Sequence, residues 1–291
     1  MTLKKIKEKF QRKLKKSKDR KNSLLEIKAI SEQLNDLLVM EITERSKNNH
    51  PNPLNKYGKK CFSQTDEDGI TIEILKRIKK LSNGSFAELG VGDGTENNTL
   101  ILIAMGWRGF WVGGGNLAID INANNKKIKY LKSWITKENI LQTFQKGMNH
   151  FNFKNIDLIS IDLDGNDYYI VETLLKNKIF PKIFILEYNG KFPPPIKFKI
   201  DYNPKHSWSE DDYFGASLST FNELMKKNNY KLICCNSHSG ANCFFIKKEF
   251  ARHFKDIPKN IEKIYCEPRY ILYKNYVHKK SPKLIEQIIN S

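Results

Sequence analysis

The residues best suited by type and spacing to do chemistry are Glu88, Gly90, Gly92, Asp93 and Gly94, which stand in the run Phe86-Ala87-Glu88-Leu89-Gly90-Val91-Gly92-Asp93-Gly94-Thr95-Glu96-Asn97-Asn98. A short apolar stretch feeds a glycine turn, and Thr95 or Asn97 is placed to cap a helix over 99–105. Glycine is needed where φ is positive or where a ligand lies against the main chain. A helix start behind the turn would offer unpaired N–H groups, so the spacing favours a nucleotide-like ligand. The dinucleotide fingerprint G-x-G-x-x-G would want a third glycine at position 95, where Thr95 stands.

Two further apolar runs end in acids. Residues 156–161 lead into Asp162-Leu163-Asp164-Gly165-Asn166-Asp167, and 183–186 lead into Glu187-Tyr188-Asn189. Asp162, Asp164, Glu187 and Asn189 are oxygen donors of the kind a hard divalent cation such as Mg2+ accepts, and such an ion can polarise an acceptor hydroxyl. Their competing role is to orient a ligand's amino group and to cap helices. His206, in Tyr202-Asn203-Pro204-Lys205-His206-Ser207-Trp208, offers an imidazole suited to a base among aromatic neighbours suited to a sugar face. Asp164 is the second candidate to take a proton, and His238, in a turn near the end, ranks below both.

The elements that must position these groups follow from periodicity. Strands are expected at 86–89, 110–112, 134–136, 156–161, 183–186, 231–235 and 242–246; helices are expected with an acidic first turn ahead of an apolar face of Ile70, Ile74, Leu75 and Ile78, at 99–105, around 118–131, at 138–146, through Leu175 and at 217–228. Ser63 or Thr65 is the expected cap of the first of these helices. Alternation of strands and helices, closed by a hairpin around Ser237-His238-Ser239-Gly240, gives an α/β, doubly wound (Rossmann-like) sheet. Ligands of such sheets bind beyond the carboxyl ends of the strands, where the glycine turn and both acidic ends fall. The Pro- and aromatic-rich excursion 191–215 reads as a lid or substrate loop.

The expected organisation is a basic helical arm at 1–47, a main domain at 57–248 and a basic tail at 249–291. Net charge is +18, and residues 1–21 hold eleven basic residues against two acids, a local +9. Leu3, Ile6, Phe10 and Leu14 recur at helical spacing there, which suits a contact with an anionic membrane surface. Ser23-Leu24-Leu25-Glu26 reads as a capping box opening a second helix to about residue 42. Its 3-4-3 pattern of Ile27, Ile30, Leu34 and Leu37 suits packing on a partner subunit, hence a homo-oligomer, or on the main domain. No apolar run approaches the length of a membrane span and no secretory leader is visible. Five cysteines without a C-x-x-C pair fit reduced thiols, so a cytoplasmic protein is expected, with the arm allowing the inner face of the membrane.

The motif E-x-G-x-G-D-G resembles the first motif of class I S-adenosylmethionine-dependent methyltransferases. With SQTDEDGI (63–70), ELGVGDGTENNT (88–99), GWRGFWVGG (106–114), ISIDLDGNDYYI (159–170), ILEYN (185–189), YFGASLSTFNEL (213–224) and SGANCFFI (239–246), the chain resembles the FkbM-like methyltransferases over about 57–248. The resemblance implies a class I methyltransferase sheet and S-adenosyl-L-methionine as donor. The donor would be held by Gln64, Glu88, Gly90, Gly92, Asp93, Gly94, Asn98 and Asp162. It also implies O-methylation of a sugar, surface glycan precursor or related small molecule, as in polysaccharide biosynthesis. One departure stands out: class I enzymes hold the ribose hydroxyls on an acid at the end of the second strand, where this chain has Gly113-Gly114-Gly115. Asp120, Glu138 or Asn116 are the substitutes at hand. The alternatives are a catalytically lapsed binding protein of the same fold and a nucleic-acid methyltransferase; the acidic loop Ser209-Glu210-Asp211-Asp212 near the chemistry disfavours nucleic acid as a partner.

Overall fold

The computed structural model describes residues 3–121, 125–269, 283 and 287, with the side chains of 3–14, 16, 17, 35, 39, 42, 43, 46 and 47 outside the description. The apolar face expected of Leu3, Ile6, Phe10 and Leu14, and most of the tail beyond 269, therefore lie outside the described residues. Two compact units are present, Met1–Glu44 and Arg45–Ser291. Among the described residues no helix is long and apolar enough to cross a membrane.

The first unit is built on one helix, α1 (Leu3–Asn49), of 47 residues. The expected break at Ser23 is absent. A capping box needs the serine to face a helix start, whereas the Ser23 hydroxyl donates back to the Asp19 carbonyl at 3.1 Å, an i−4 bond made inside a helix. Helix formation instead runs on to Asn49, where His50-Pro51 stops it.

The second unit is a seven-stranded sheet in the order β3-β2-β1-β4-β5-β7-β6. Its strands are β1 (Ser85–Leu89), β2 (Arg108–Gly113), β3 (Ile128–Lys132), β4 (Leu158–Ile161), β5 (Ile183–Glu187), β6 (Tyr230–Cys235) and β7 (Asn242–Lys247). The first five are parallel, and β7 runs antiparallel between β5 and β6. This is the doubly wound α/β sheet closed by an antiparallel hairpin that the sequence led us to expect. Helices α2 (Glu67–Arg77), α3 (Leu100–Ala104), α4 (Ile140–His150), α5 (Asp167–Lys176) and α6 (Leu218–Lys227) connect the strands. Every residue of β1 and β4 is buried, as strands covered on both faces require.

Two expected elements are corrected. The third strand is Ile128–Lys132, and 134–136 is loop beyond its end; no helix spans the described part of 118–131. The expected caps of α2 also differ. Asp66 takes the N-cap position, and its carboxylate turns away to the β6–β7 turn, receiving the Ser237 hydroxyl at 3.2 Å and Asn236 Nδ2 at 3.1 Å. Glu67 beside it receives Asn236 and Asn242 Nδ2, each at 3.0 Å, and Asp68 receives the N–H groups of Cys61, Phe62 and Ser63. Asp66 and Glu67 are thus buried struts that fasten the start of α2 to the final hairpin, with burial raising both carboxyls above their ordinary range, while Asp68 gathers the loop at 61–63 onto the same helix.

Asn236, fully buried, is the hub of that fastening, since its Oδ1 also accepts the N–H groups of Ala241 and Asn242. Asn236→Ala takes one donor from each of two buried carboxyls, and we expect a loss of about 3 kcal/mol by urea unfolding, the scale of hydrogen bonds to buried charged groups. A change below about 0.5 kcal/mol, the level of a surface substitution, would contradict the strut role.

Candidate active site

The site starts from the parallel register of β1. Glu88 lies opposite Trp111 on β2 and Ser160 on β4. Its carboxylate accepts the main-chain N–H of Asn98 at 2.9 Å, that of Thr99 at 3.1 Å, and the Thr99 hydroxyl. The Thr99 Oγ1 in turn accepts the Trp111 indole N–H at 2.8 Å, and Asn98 Nδ2 donates to Ser160 Oγ at 3.1 Å. Glu88 and not Thr95 or Asn97 therefore caps the start of α3, which is only five residues long. The expected row of free N–H groups behind the glycine turn is corrected accordingly: Glu88 has taken the first of them.

The glycines of the turn divide by what surrounds them. At Gly90, with φ +93°, a Cβ would stand 1.5 Å from the Asp162 carbonyl oxygen, so the turn and the end of β4 touch backbone to backbone. Gly94, φ +88°, packs under Leu117 and Trp111, away from the open space. A Cβ at Gly92 would meet nothing within 4 Å. Packing gives no reason for glycine at that position; the space in front of it does. Two cavities meet there, sharing Gly90, Gly92 and Asp162. One, of about 450 Å³, is lined also by Gln64, Glu67, Glu88, Asp93, Asn98 and Asn242. The other, of about 290 Å³, reaches from Gly113, Gly114, Ser133 and Trp134 to Asp164, Asn166, His206 and Trp208.

At the end of β2 a side chain is excluded at Gly113, where a Cβ would lie 2.2 Å from the Val91 carbonyl oxygen, and crowded at Gly114, where it would lie 3.0 Å from the Trp134 ring; at Gly115 it would meet nothing within 4 Å. None of the three expected substitutes lines either cavity: Asn116 Oδ1 accepts Lys132 Nζ at 2.7 Å, Glu138 accepts the Tyr202 hydroxyl at 2.7 Å, and Asp120 is exposed. Ser133 is the hydroxyl side chain at that wall.

Beyond β4 and β5 the acids crowd together. Oxygens of Asp162, Asp164 and Glu187 lie within 4.8 Å of one another. Asn189 does not join them: its amide is fully buried, donating to the Asp212 and Phe214 carbonyls and accepting Lys191 N–H, and so pins the far end of the 191–215 excursion. Burial, reinforced by the charges of Asp164 and Asp167, pushes the Asp162 carboxyl well above its usual range; burial and Asp162 do the same to Glu187. The two share a hydrogen bond, and Glu187 Oε2 has no partner. Adjacent carboxyls of this kind hold a proton between them unless a cation replaces it. Asp167 accepts the N–H groups of Leu163 at 2.8 Å and Gly165 at 3.0 Å, shaping the loop, and burial raises it to about 6.

His206 comes to the same wall. Its ring hydrogen-bonds the Asp164 main chain, Nε2 is shut from water without a partner, and burial lowers its pKa, leaving the imidazole neutral at physiological pH. A Cβ at Gly165 would lie 2.2 Å from the ring, so the Gly165 position exists to seat it. The excursion carrying His206 is tied down by Trp134 Nε1 to the Pro204 carbonyl at 2.8 Å and by Asn166 Nδ2 to the Asn203 carbonyl at 2.8 Å. Sequence reading brought out His206, Asp164 and Asp162 but missed Gly165, Trp134, Glu67 and Asn242. The Asp164-Gly165 dipeptide, a turn signal that matches the left-handed φ of 52° found at Asp164, was the signal available for Gly165. His238 is 3% exposed behind the final hairpin and lines neither cavity.

The raised Glu187 carboxyl has a signed consequence. Its ionised form is disfavoured in the folded state, so its cost is present above the folded pKa and disappears as pH falls toward the ordinary value of 4.5. In chelator, Glu187→Gln should melt at the same temperature as the unsubstituted protein near pH 4.5 and at an equal or higher one at pH 9. A variant that melts lower at pH 9 than the parent would contradict the shared-proton description.

Neither a family model nor a curated protein matches the sequence. Similar solved structures include a Pyrococcus horikoshii protein assigned as an RNA methyltransferase, at 9% identity over 69% of this chain and 96% of that one, TM-score 0.35. A Lactococcus lactis protein assigned as a hemolysin matches at 11% identity over 67% of this chain and 92% of that one, TM-score 0.38. The methyltransferase MycE of the mycinamycin biosynthetic pathway, solved with Mg, SAH and mycinamycin VI, matches at 10% identity over 65% of this chain and 51% of its own, TM-score 0.38. At these identities and scores the likeness carries nothing about the site.

Proposed function

We propose that this chain is an S-adenosyl-L-methionine-dependent O-methyltransferase of the FkbM-like kind, acting on a hydroxyl of a sugar, glycan precursor or related small molecule. The observation that carries the reading is the open face of Gly92 between two cavities that share Gly90 and Asp162. The residues fit the donor. The larger, acid-lined cavity offers Gln64, Asp93, Asn98 and Asp162 to its amino-acid end, and the smaller offers Ser133, Trp134 and Ile135 to its nucleoside. The ribose would be held without an acid, by Ser133 and main-chain groups. When bound, the donor supplies a methyl group already activated on a sulfonium.

The chain's own task is then to align an acceptor oxygen and to take its proton. His206 is neutral near pH 7 and lines the smaller cavity, and Asp164 stands exposed at the same wall. Trp208, two residues beyond His206, gives that cavity an aromatic face of the sort that sugars stack on. Mg2+ is a second reading of the Asp162, Asp164 and Glu187 cluster, supported by the unpartnered Glu187 oxygen; an ion there would replace the shared proton and hold the acceptor. The +9 segment at 1–21 suits an anionic membrane surface, where lipid-linked glycan precursors would be met.

Transfer of a labelled methyl group to a panel of sugars and glycan precursors tests the reading. His206→Ala should lower turnover by roughly 10²–10⁴-fold, the effect of a lost general base, while donor affinity is unchanged. Full turnover in His206→Ala moves the proton to Asp164 or water; activity insensitive to chelator removes the metal. Label entering no hydroxyl compound but entering RNA would overturn the substrate class.

A further inference from the structure

Helix α1 leaves large apolar side chains in water. Leu24, Ile27, Ile30, Leu34 and Leu37 are 58–63% exposed and Leu38 is 39% exposed, in a unit whose described residues contain no second element to cover them. A helix draws most of its stability from burying such a face, so a 47-residue helix with its apolar stripe uncovered is a half-built interface.

The spacing identifies the missing half. Ile27, Ile30, Leu34 and Leu37 occupy successive a and d positions of a heptad, with Arg20 and Glu41 at a, Ser23 and Glu44 at d, and Leu24 and Leu38 at e. Two copies can pair in two ways. Parallel pairing sets each position against itself, putting Arg20 on Arg20, Glu41 on Glu41 and the +9 of residues 1–21 beside its own copy. Antiparallel pairing sets a against d, and every layer then has residue numbers summing to 64. Ile27 meets Leu37, Ile30 meets Leu34, Arg20 meets Glu44 and Ser23 meets Glu41. The e positions fall together as well, Leu24 beside Leu38, which widens the apolar seam; Ser31 lies beside its own copy at the two-fold axis. The same register therefore joins apolar to apolar and base to acid, and it separates the two basic segments.

We propose that the chain is a dimer held by antiparallel pairing of α1 with α1 of a second copy, centred near residue 32. The interface needs no ligand and does not depend on the methyl-transfer reading. Four apolar layers with a flanking leucine pair on each side form a short seam, and its pairing is therefore expected to depend on each layer.

Sedimentation of the full chain at about 50 μM should give twice the monomer mass, and the Ile30→Asp/Leu34→Asp double variant should give the monomer mass with unchanged near-ultraviolet dichroism. Orientation is read by single cysteines in a background with the exposed Cys61 replaced by Ser. Ser31→Cys should cross-link to a covalent dimer on mild oxidation, and Ile27→Cys, facing Leu37 of the second copy, should not. The reverse cross-linking pattern would establish parallel pairing and overturn the proposal. A monomer at 50 μM would overturn it as well, whatever else the helix then binds, anionic vesicles included.

Discussion

The structure depends on the contact between the glycine turn after β1 and the end of β4, where Gly90 lies so near the Asp162 carbonyl that no side chain fits. Strands β1 and β4 are hydrogen-bonded neighbours, and the Asp162 N–H also reaches back to the Leu89 carbonyl at 3.0 Å. The chain must leave β1 without filling the space ahead of it, and two cavities open on either side of the contact. The same register sets Glu88 against Trp111 and Ser160, so that one carboxylate fixes the start of α3 while its strand neighbours hold the side chains of Thr99 and Asn98, the two residues it caps. Position of the cleft and rigidity of its floor follow from this one approach.

Around that floor the chain accumulates acids whose carboxyls burial raises above their ordinary range: Asp162 and Glu187 at the strand ends, Asp167 beneath the loop, Asp66 and Glu67 behind the larger cavity. Each is tolerated for a different reason. Asp167, Asp66 and Glu67 receive main-chain N–H or amide donors and act as fasteners. The Asp162 and Glu187 pair, with an oxygen left unpartnered, has no such complete explanation within the fold. An incompletely satisfied buried carboxyl at the carboxyl edge of a parallel sheet marks a place that something else completes.

Most of the sheet was legible in the sequence because its strands are continuous apolar runs buried on both faces. The third strand was not: Ile-Lys-Tyr-Leu-Lys is half-exposed at the sheet edge, while the more strand-like Trp134-Ile135-Thr136 forms cavity wall instead. The single helix α1 was hidden by Ser23 and Glu26, whose spacing imitates a helix start in a segment that has no tertiary reason to stop. Within the site, His206 and the strand-end acids were readable from type and place. Glu67 and Asn242 were not, since a buried network drawn from residues some 175 positions apart leaves no local pattern. The missing acid after β2 was visible in the sequence; its cause, the Val91 carbonyl against Gly113, needed coordinates.

The central claim is that the space before Gly92 is a seat for the methyl donor, and titration calorimetry of the full chain with S-adenosylhomocysteine tests it most directly. One product molecule should bind per chain, and Gly92→Val, whose Cβ has no neighbour within 4 Å and which should keep the parent's melting temperature, should bind at least about tenfold more weakly. No heat from the unsubstituted protein at millimolar ligand, or equal affinity in the folded Gly92→Val variant, would contradict it.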